Sequence, residues 1–201
     1  HNVGMLKVVN STLASNTAST GARGIDLAGG SATLNNTVVA GSGGLLFLPY
    51  LVGERSPHLD PTARGAFWGL ALRHGQGDLV RAVQEGVTFA LYDAYAVLAE
   101  LGVQAHSITL AGGGAKSAVW RQIVADVFGQ PVQPLLTGAQ SALGAVLLAG
   151  AGAGLFDLAE TARRWAQLGD TTEPDAERHA SYAERFAAFQ SLYTRNKGHF
   201  A

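Results

Sequence analysis

From Gly43 onward the chain alternates apolar-periodic segments with glycine and proline turns, the texture of a globular α/β domain. Leu45–Leu51, LLFLPYL, is apolar, and Pro49 keeps it out of a central strand position. A long loop, VGERSPHLDPTARGAFWGL, follows it. Asp78 then stands as the N-cap of a helix over Leu79–Leu101, in which the apolar Val80, Val83, Val87, Leu91, Tyr95 and Leu98 recur every three or four residues and which Gly102 closes. Ser107–Ala111 predicts a short strand. Ser117 caps a second helix, whose stripe is Trp120, Ile123, Val124, Val127 and Phe128 and which Gly129 ends. Pro131–Leu136 predicts another strand and Gln140–Leu148 a helix of small residues. Two polar-faced helices, near Asp157–Leu168 and Asp175–Lys197, complete the pattern, the last packing through Tyr182, Phe186, Phe189 and Tyr193. The order β-α-β-α implies a parallel or mixed sheet covered by helices.

Residues 1–42 differ, being rich in Ser, Thr, Asn, Gly and Ala with single short apolar pairs. Lys7–Ala14, KVVNSTLA, realigns with Ala32–Val39, ATLNNTVV, a repeat with a period of 25 residues. Two readings stand: coils of a β-helix, as in bacterial surface repeats, or a flexible polar segment with a chance repeat. On this basis the chain divides into residues 1–42 and a domain over residues 43–201.

Composition narrows the function. The chain has 201 residues, ample for a sizeable core without staples. It contains no cysteine, which excludes thiol catalysis, disulfides and thiolate metal sites and fits a cytoplasmic setting. A formal net charge of −1, with 14% charged residues, gives no field to attract nucleic acid or an anionic membrane. Val127–Phe156 carries no charge, but Pro131, Pro134 and many glycines leave its apolar run too short to span a bilayer. The first residues show no basic, then apolar, leader. His58, His74 and His106 lack metal-ligand spacing and are expected as surface or loop histidines.

The stretch ITLAGGGAKSAVWRQ, Ile108–Gln122, carries the candidate chemistry. Three glycines between a strand and a helix let a ligand approach backbone N–H groups that a Cβ would screen, and the helix N-terminus favours an anion. Neither the P-loop nor the dinucleotide-binding pattern fits: glycine would be needed where Leu110, Ala115 or Ser117 stand. From the residues alone, a ligand loop and a tight structural turn both remain open.

Four stretches decide between them: GLLFLPYLVGERSPHLDPTARGAFWGL, RAVQEGVTFAL, LAGGGAKSAVWRQIVADVFGQPV and SALGAVLLAG. In that order and spacing, residues 43–150, and more loosely up to Lys197, resemble the C-terminal, nucleotide-binding domain of FGGY-family carbohydrate kinases, with most likeness to the xylulose kinases. The resemblance implies an actin-like, RNase H-like ATPase fold, here the C-terminal half of a sugar kinase, preceded by a short β-rich segment. It implies ATP and Mg²⁺ as cofactors and phosphorylation of D-xylulose to D-xylulose 5-phosphate. Gly112, Gly113, Gly114, Ala115 and Lys116 then form the loop against adenosine, with Ser117 either joining them or only capping the helix.

GERSPHLDPTARG resembles that family's loop between the first sheet and the interdomain helix; its Glu54, Arg55, Asp60 and Arg64 offer a catalytic dyad or a salt-linked structural loop, and the second is favoured because ion-pair networks are common outside active sites. Ala142, Gly144 and Ala145 lie on a close-packed helix. The family's general base is an aspartate of the N-terminal domain, so no catalytic residue is expected in this chain, and the chain alone is expected to be inactive. A missing N-terminal domain or self-association would supply its partner, and the small-molecule partners are ATP and a sugar. The rival expectations are a nucleotide-binding module without kinase activity and a structural module led by residues 1–42.

Overall fold

The computed structural model describes residues 41–138 and 140–200, together with the backbone of four short strands before them. These strands are β1 (Leu6–Val9), β2 (Thr12–Leu13), β3 (Ala32–Asn35) and β4 (Val38–Val39). The first pairs in parallel with the third and the second with the fourth. Leu6 stands opposite Ala32 and Thr12 opposite Val38, so the offset is 26 residues, one more than the sequence repeat. The longer offset sets Val8 against Leu34 and Leu13 against Val39, and it no longer places Asn10 over Asn35 or Thr12 over Thr37 as the sequence repeat did. The chain separates into two compact units, His1–Gln104 with Ala176–Ala201, and Ala105–Asp175.

In the first unit, β5 (Leu46–Leu48) pairs antiparallel with β6 (Ala66–Trp68). Pro49 follows β5 immediately, as its missing donor requires. The three-residue β6 lay unmarked in the predicted loop, because Ala-Phe-Trp between Gly65 and Gly69 is too short to show alternation.

Helix α1 (Gln76–Glu100) packs on β5. It begins three residues before the predicted start. Gly75 is the N-cap, and Asp78 caps from inside the first turn, its Oδ2 accepting from the Gly75 N–H at 2.9 Å. The end is as predicted: Gly102 has φ of +88°, Gly102 N–H donates to Ala99 O and Val103 N–H to Leu98 O. These two bonds make a Schellman cap.

The buried face of α1 differs from the apolar stripe. Arg81, Ala82, Glu85, Gly86, Thr88, Phe89 and Asp93 are buried, whereas Val80, Leu91 and Leu98 are half-exposed. The reason lies on α5 (Ala176–Asn196), which supplies partners for the buried charges. Arg81 Nε lies 2.8 Å from Glu85 Oε1, and its Nη2 donates to Tyr182 Oη at 2.7 Å. Arg185 Nη2 reaches Glu85 Oε2 at 2.6 Å and also donates to Ser42 Oγ. Burial alone would raise the Glu85 carboxyl, but Arg185 and then Arg81 outweigh it and hold the pKa below the ordinary 4.5. The same burial pushes Tyr182 up to about 12. Along α5, Tyr182, Phe189 and Tyr193 are buried as predicted, joined by Leu192.

Gly86 sits where α1 crosses β5, and a Cβ there would lie 2.1 Å from the carbonyl oxygen of Phe47. Gly86→Ala should therefore cost at least the about 1–3 kcal/mol of overpacking. The check is a shift of the urea midpoint; an unchanged midpoint would show that α1 and β5 are farther apart.

The second unit is a β-α-β-α arrangement, as predicted. Strand β7 (Ile108–Leu110) runs parallel to β8 (Val132–Pro134), with Ile108 opposite Val132 and Leu110 opposite Pro134. Helix α2 (Ala118–Phe128) connects them and is ended by Gly129 in the left-handed region. Val124, Ala125 and Val132 form the core, with Ile108, Leu110, Trp120 and Phe128 packed against it.

Helices α3 (Gln140–Gly152) and α4 (Leu158–Trp165) follow. Asp157 caps α4 by accepting from the Glu160 N–H at 2.8 Å. On α3 the close approach is at Gly150, whose added Cβ would meet the Phe156 ring at 2.3 Å; one on Gly144 would meet nothing within 4 Å. No helix among the described residues is long and apolar enough to cross a membrane.

Candidate functional site

The glycine turn starts where β7 ends, with Leu135 N–H donating to Leu110 O at 2.7 Å. Gly112 has φ of +87°, a conformation open to glycine at little cost. Gly113 is right-handed helical, and Gly114–Lys116 forms one 3₁₀ turn. Its hydrogen bonds run from Lys116 N–H to Gly113 O and from Ser117 N–H to Gly114 O. The amides of Gly114 and Ala115 precede the first of these bonds, so the turn itself leaves them free to donate elsewhere. Ser117 is extended and its Oγ accepts from the Trp120 N–H at 3.3 Å, which starts α2.

The three glycines are required for different reasons. Gly112 answers to its backbone angle. Gly114 answers to packing, since a Cβ would lie 2.3 Å from the indole of Trp120. Gly113 answers to neither: its φ of −63° suits any residue and a Cβ would meet nothing within 4 Å. The bare backbone at Gly113 is what the close approach of a ligand would require.

A cavity of about 770 Å³ opens on this turn. Gly112, Gly113, Ala115, Lys116 and Arg121 line it together with Pro134–Gly138 and Leu168–Asp170. This volume lies within the range of small-molecule sites, roughly 300–1,000 Å³. The segment after α4 runs antiparallel beside β8: Leu136 N–H donates to Gln167 O at 2.8 Å and Gly169 N–H to Pro134 O at 2.9 Å. A Cβ on Gly169 would lie 2.9 Å from the Pro134 ring, so glycine lets the two segments close. Lys116 and Arg121 bring positive charge to the lining and Asp170 a carboxylate.

Of the six residues predicted from sequence, the structure therefore brings Gly112, Gly113, Ala115 and Lys116 to the cavity. Gly114 packs under Trp120 and Ser117 caps α2 beside it. Sequence reading missed Arg121, which its place four residues after the cap Ser117 could have signalled. It also missed Leu168–Asp170, which reach the cavity through long-range pairing and leave no local trace. Among the described residues, no group of three His, Asp or Glu side chains is placed to hold a metal ion.

The acidic loop of the first unit is held by hydrogen bonds to its own backbone, and among the described residues Glu54, Arg55, Asp60 and Arg64 make no salt link, contrary to the expectation. Glu54 accepts from the backbone N–H of Ser56 at 2.6 Å and of His58 at 2.8 Å. Asp60 accepts from the N–H and Oγ1 of Thr62, the N–H of Ala63 and the hydroxyl of Tyr193. The Thr62 hydroxyl contributes most to holding the Asp60 carboxyl below its ordinary value. Arg64 donates to the carbonyls of Pro61 and Ala63. Carboxylates that take backbone donors, and an arginine that gives donors to backbone carbonyls, shape a tight loop without an ion pair between them.

His58 lies in a loop, as expected, and is half-buried. It stacks on Tyr193 with centroids 3.8 Å apart, and its Nε2 is 3.1 Å from the buried Asp93 carboxylate. His74 accepts from the Ala71 N–H through Nδ1, and His106 is exposed.

Residues 6–153 match the FGGY family of carbohydrate kinases, C-terminal domain. The chain is 38% identical over 158 residues to the xylulose kinase of Staphylococcus epidermidis, covering 78% of this chain and 32% of that protein. A gluconokinase of Bacillus subtilis is 42% identical over 109 residues, covering 54% of this chain and 21% of its own. The crystal structure of ligand-bound xylulose kinase from Lactobacillus acidophilus aligns with 80% of this chain and 33% of its own, with a TM-score of 0.72 and 35% identity. The chain thus spans about a third of the length of the relatives it matches. Its α/β fold is the actin-like one of these kinases. It belongs to the FGGY family of carbohydrate kinases, whose C-terminal domain it matches.

Proposed function

We propose that this chain forms the nucleotide half of an ATP-dependent sugar kinase. The observation that carries the reading is the cavity at Gly112, Gly113, Ala115 and Lys116, in a domain that the carbohydrate-kinase family matches. In the proposed reaction a sugar hydroxyl oxygen attacks the γ-phosphorus of ATP. The new O–P bond forms as the bond to the β,γ-bridging oxygen breaks, ADP leaves, and the hydroxyl proton passes to a base. This chain contributes to the first half: its glycine turn holds the nucleoside and fixes the phosphates, and such positioning is a main source of rate in phosphoryl transfer. The proton acceptor is assigned to the part of such a kinase that this chain does not span. Magnesium would enter with the phosphates of ATP, since the described residues form no carboxylate cluster for it, and no step is assigned to a metal held here.

D-Xylulose is the proposed acceptor, supported by the longer match to a xylulose kinase, 158 residues against 109 for the gluconokinase. D-Gluconate is the second candidate, and the sugar-selecting contacts are assigned elsewhere in the kinase. A cytoplasmic setting goes with this reading. The exposed Trp68, Leu70 and Leu72 support a contact of the first unit with the remainder of a kinase.

Calorimetric titration of the 201-residue chain with Mg·ATP, with and without D-xylulose or D-gluconate, tests the reading. Binding should appear with an affinity that neither sugar changes, and sugar-dependent ADP release should stay far below ~1 s⁻¹, the low end for enzymes. A folded chain that fails to bind would refute the nucleotide role, and turnover near that rate would show that the base lies in this chain.

A further inference from the structure

We propose that Arg121 is a positioning residue for the nucleotide turn, an inference that rests on the nucleotide reading above. Its Nη1 donates to the carbonyl oxygen of Ala115 at 2.7 Å. The N–H of Lys116, the other end of the same peptide unit, donates to Gly113 O at 3.2 Å. A peptide unit is planar, so holding both ends fixes the plane. That plane sets the direction in which Lys116 leaves the backbone toward the cavity it lines.

The arginine is a poor choice for stability alone. Its Nε is buried with no hydrogen-bond partner among the described residues. A buried donor of a charged group left unpaired is costly, whereas an apolar side chain of similar length would fill the place without that cost. Arg121 also lines the cavity itself. A side chain that loses stability at one nitrogen, braces the turn with another and borders the ligand space is placed for the ligand. The ligand class is an anionic nucleotide, met by Lys116 and by the amides that the brace holds in place.

The test measures affinity and stability together. The chain and its Arg121→Met, Arg121→Lys, Lys116→Met and Arg121→Met/Lys116→Met variants are titrated with Mg·ATP and melted. Arg121→Met should weaken binding by about tenfold, a change of 1.4 kcal/mol, without lowering the unfolding midpoint. Arg121→Lys, which keeps the charge and a donating nitrogen, should recover part of the loss. Lys116→Met should weaken binding in the parent but by less than about twofold in the Arg121→Met background, because coupled residues are not additive.

Unchanged affinity in Arg121→Met, additive losses, or a lowered midpoint or failure to fold would each overturn the proposal. The unfolding results would make Arg121 a structural residue. Absence of binding by the parent chain would overturn the nucleotide reading and this inference with it, whereas parent binding with equal affinity in Arg121→Met overturns this inference alone.

Discussion

Glu85→Ala should cost about 3–5 kcal/mol, enough to unfold the first unit or leave it marginal. The carboxylate is 1% exposed and lies between Arg81 at 2.8 Å and Arg185 at 2.6 Å. Removing it leaves the buried Arg81 guanidinium without its counter-charge and Tyr182 Oη without an acceptor. The loss far exceeds what an exposed ion pair would give, about 0–1 kcal/mol, because water cannot replace the lost partner.

The pH dependence has a definite sign. The Glu85 pKa is lower in the folded chain than its ordinary 4.5, so the unfolded chain binds the proton more tightly. The stabilisation is complete above about 4.5 and is lost as pH falls below it through the folded value. Denaturant melts between neutral and acid pH should show this decline in the parent chain. An equal decline in any Glu85→Ala chain that still folds would assign it to other carboxylates.

Gly113→Val should weaken Mg·ATP binding by more than about tenfold, over 1.4 kcal/mol, while the chain stays folded. The position is a clean probe because its backbone is right-handed helical and a Cβ would meet nothing within 4 Å. Replacing glycine at such a site restricts the unfolded chain and tends to stabilise, by about 0.4–1 kcal/mol for alanine. The neighbours lack this property: a side chain at Gly112 strains the backbone at φ of +87°, and one at Gly114 strikes Trp120. Calorimetry beside a thermal melt checks the prediction, and undiminished affinity in a folded Gly113→Val chain would move the nucleotide away from the turn.

The contrast among these glycines also shows how far the sequence could be read. The Gly102 and Gly129 helix ends, the Ser117 cap and the α2 stripe were legible because each is a local signal. The buried face of α1 was not, since hydrophobic periodicity cannot register that Arg81 and Glu85 find Tyr182 and Arg185 about a hundred residues away. Strand β6 was too short to mark itself. At the candidate site the glycine turn stood out as a motif, but the separate demands on Gly112, Gly113 and Gly114 needed coordinates. The wall at Leu168–Asp170 depends on pairing with β8 across α3 and α4, which no spacing rule reveals.

The most direct test of the nucleotide site is a map of Mg·ATP binding by ¹H–¹⁵N chemical-shift perturbation on the whole chain. The amides of residues 112–116 should shift together with those of Leu135–Gly138 and Leu168–Asp170, which line the same cavity. Perturbations confined to other residues, or none at saturating nucleotide in a folded chain, would contradict the assignment of this cavity to ATP.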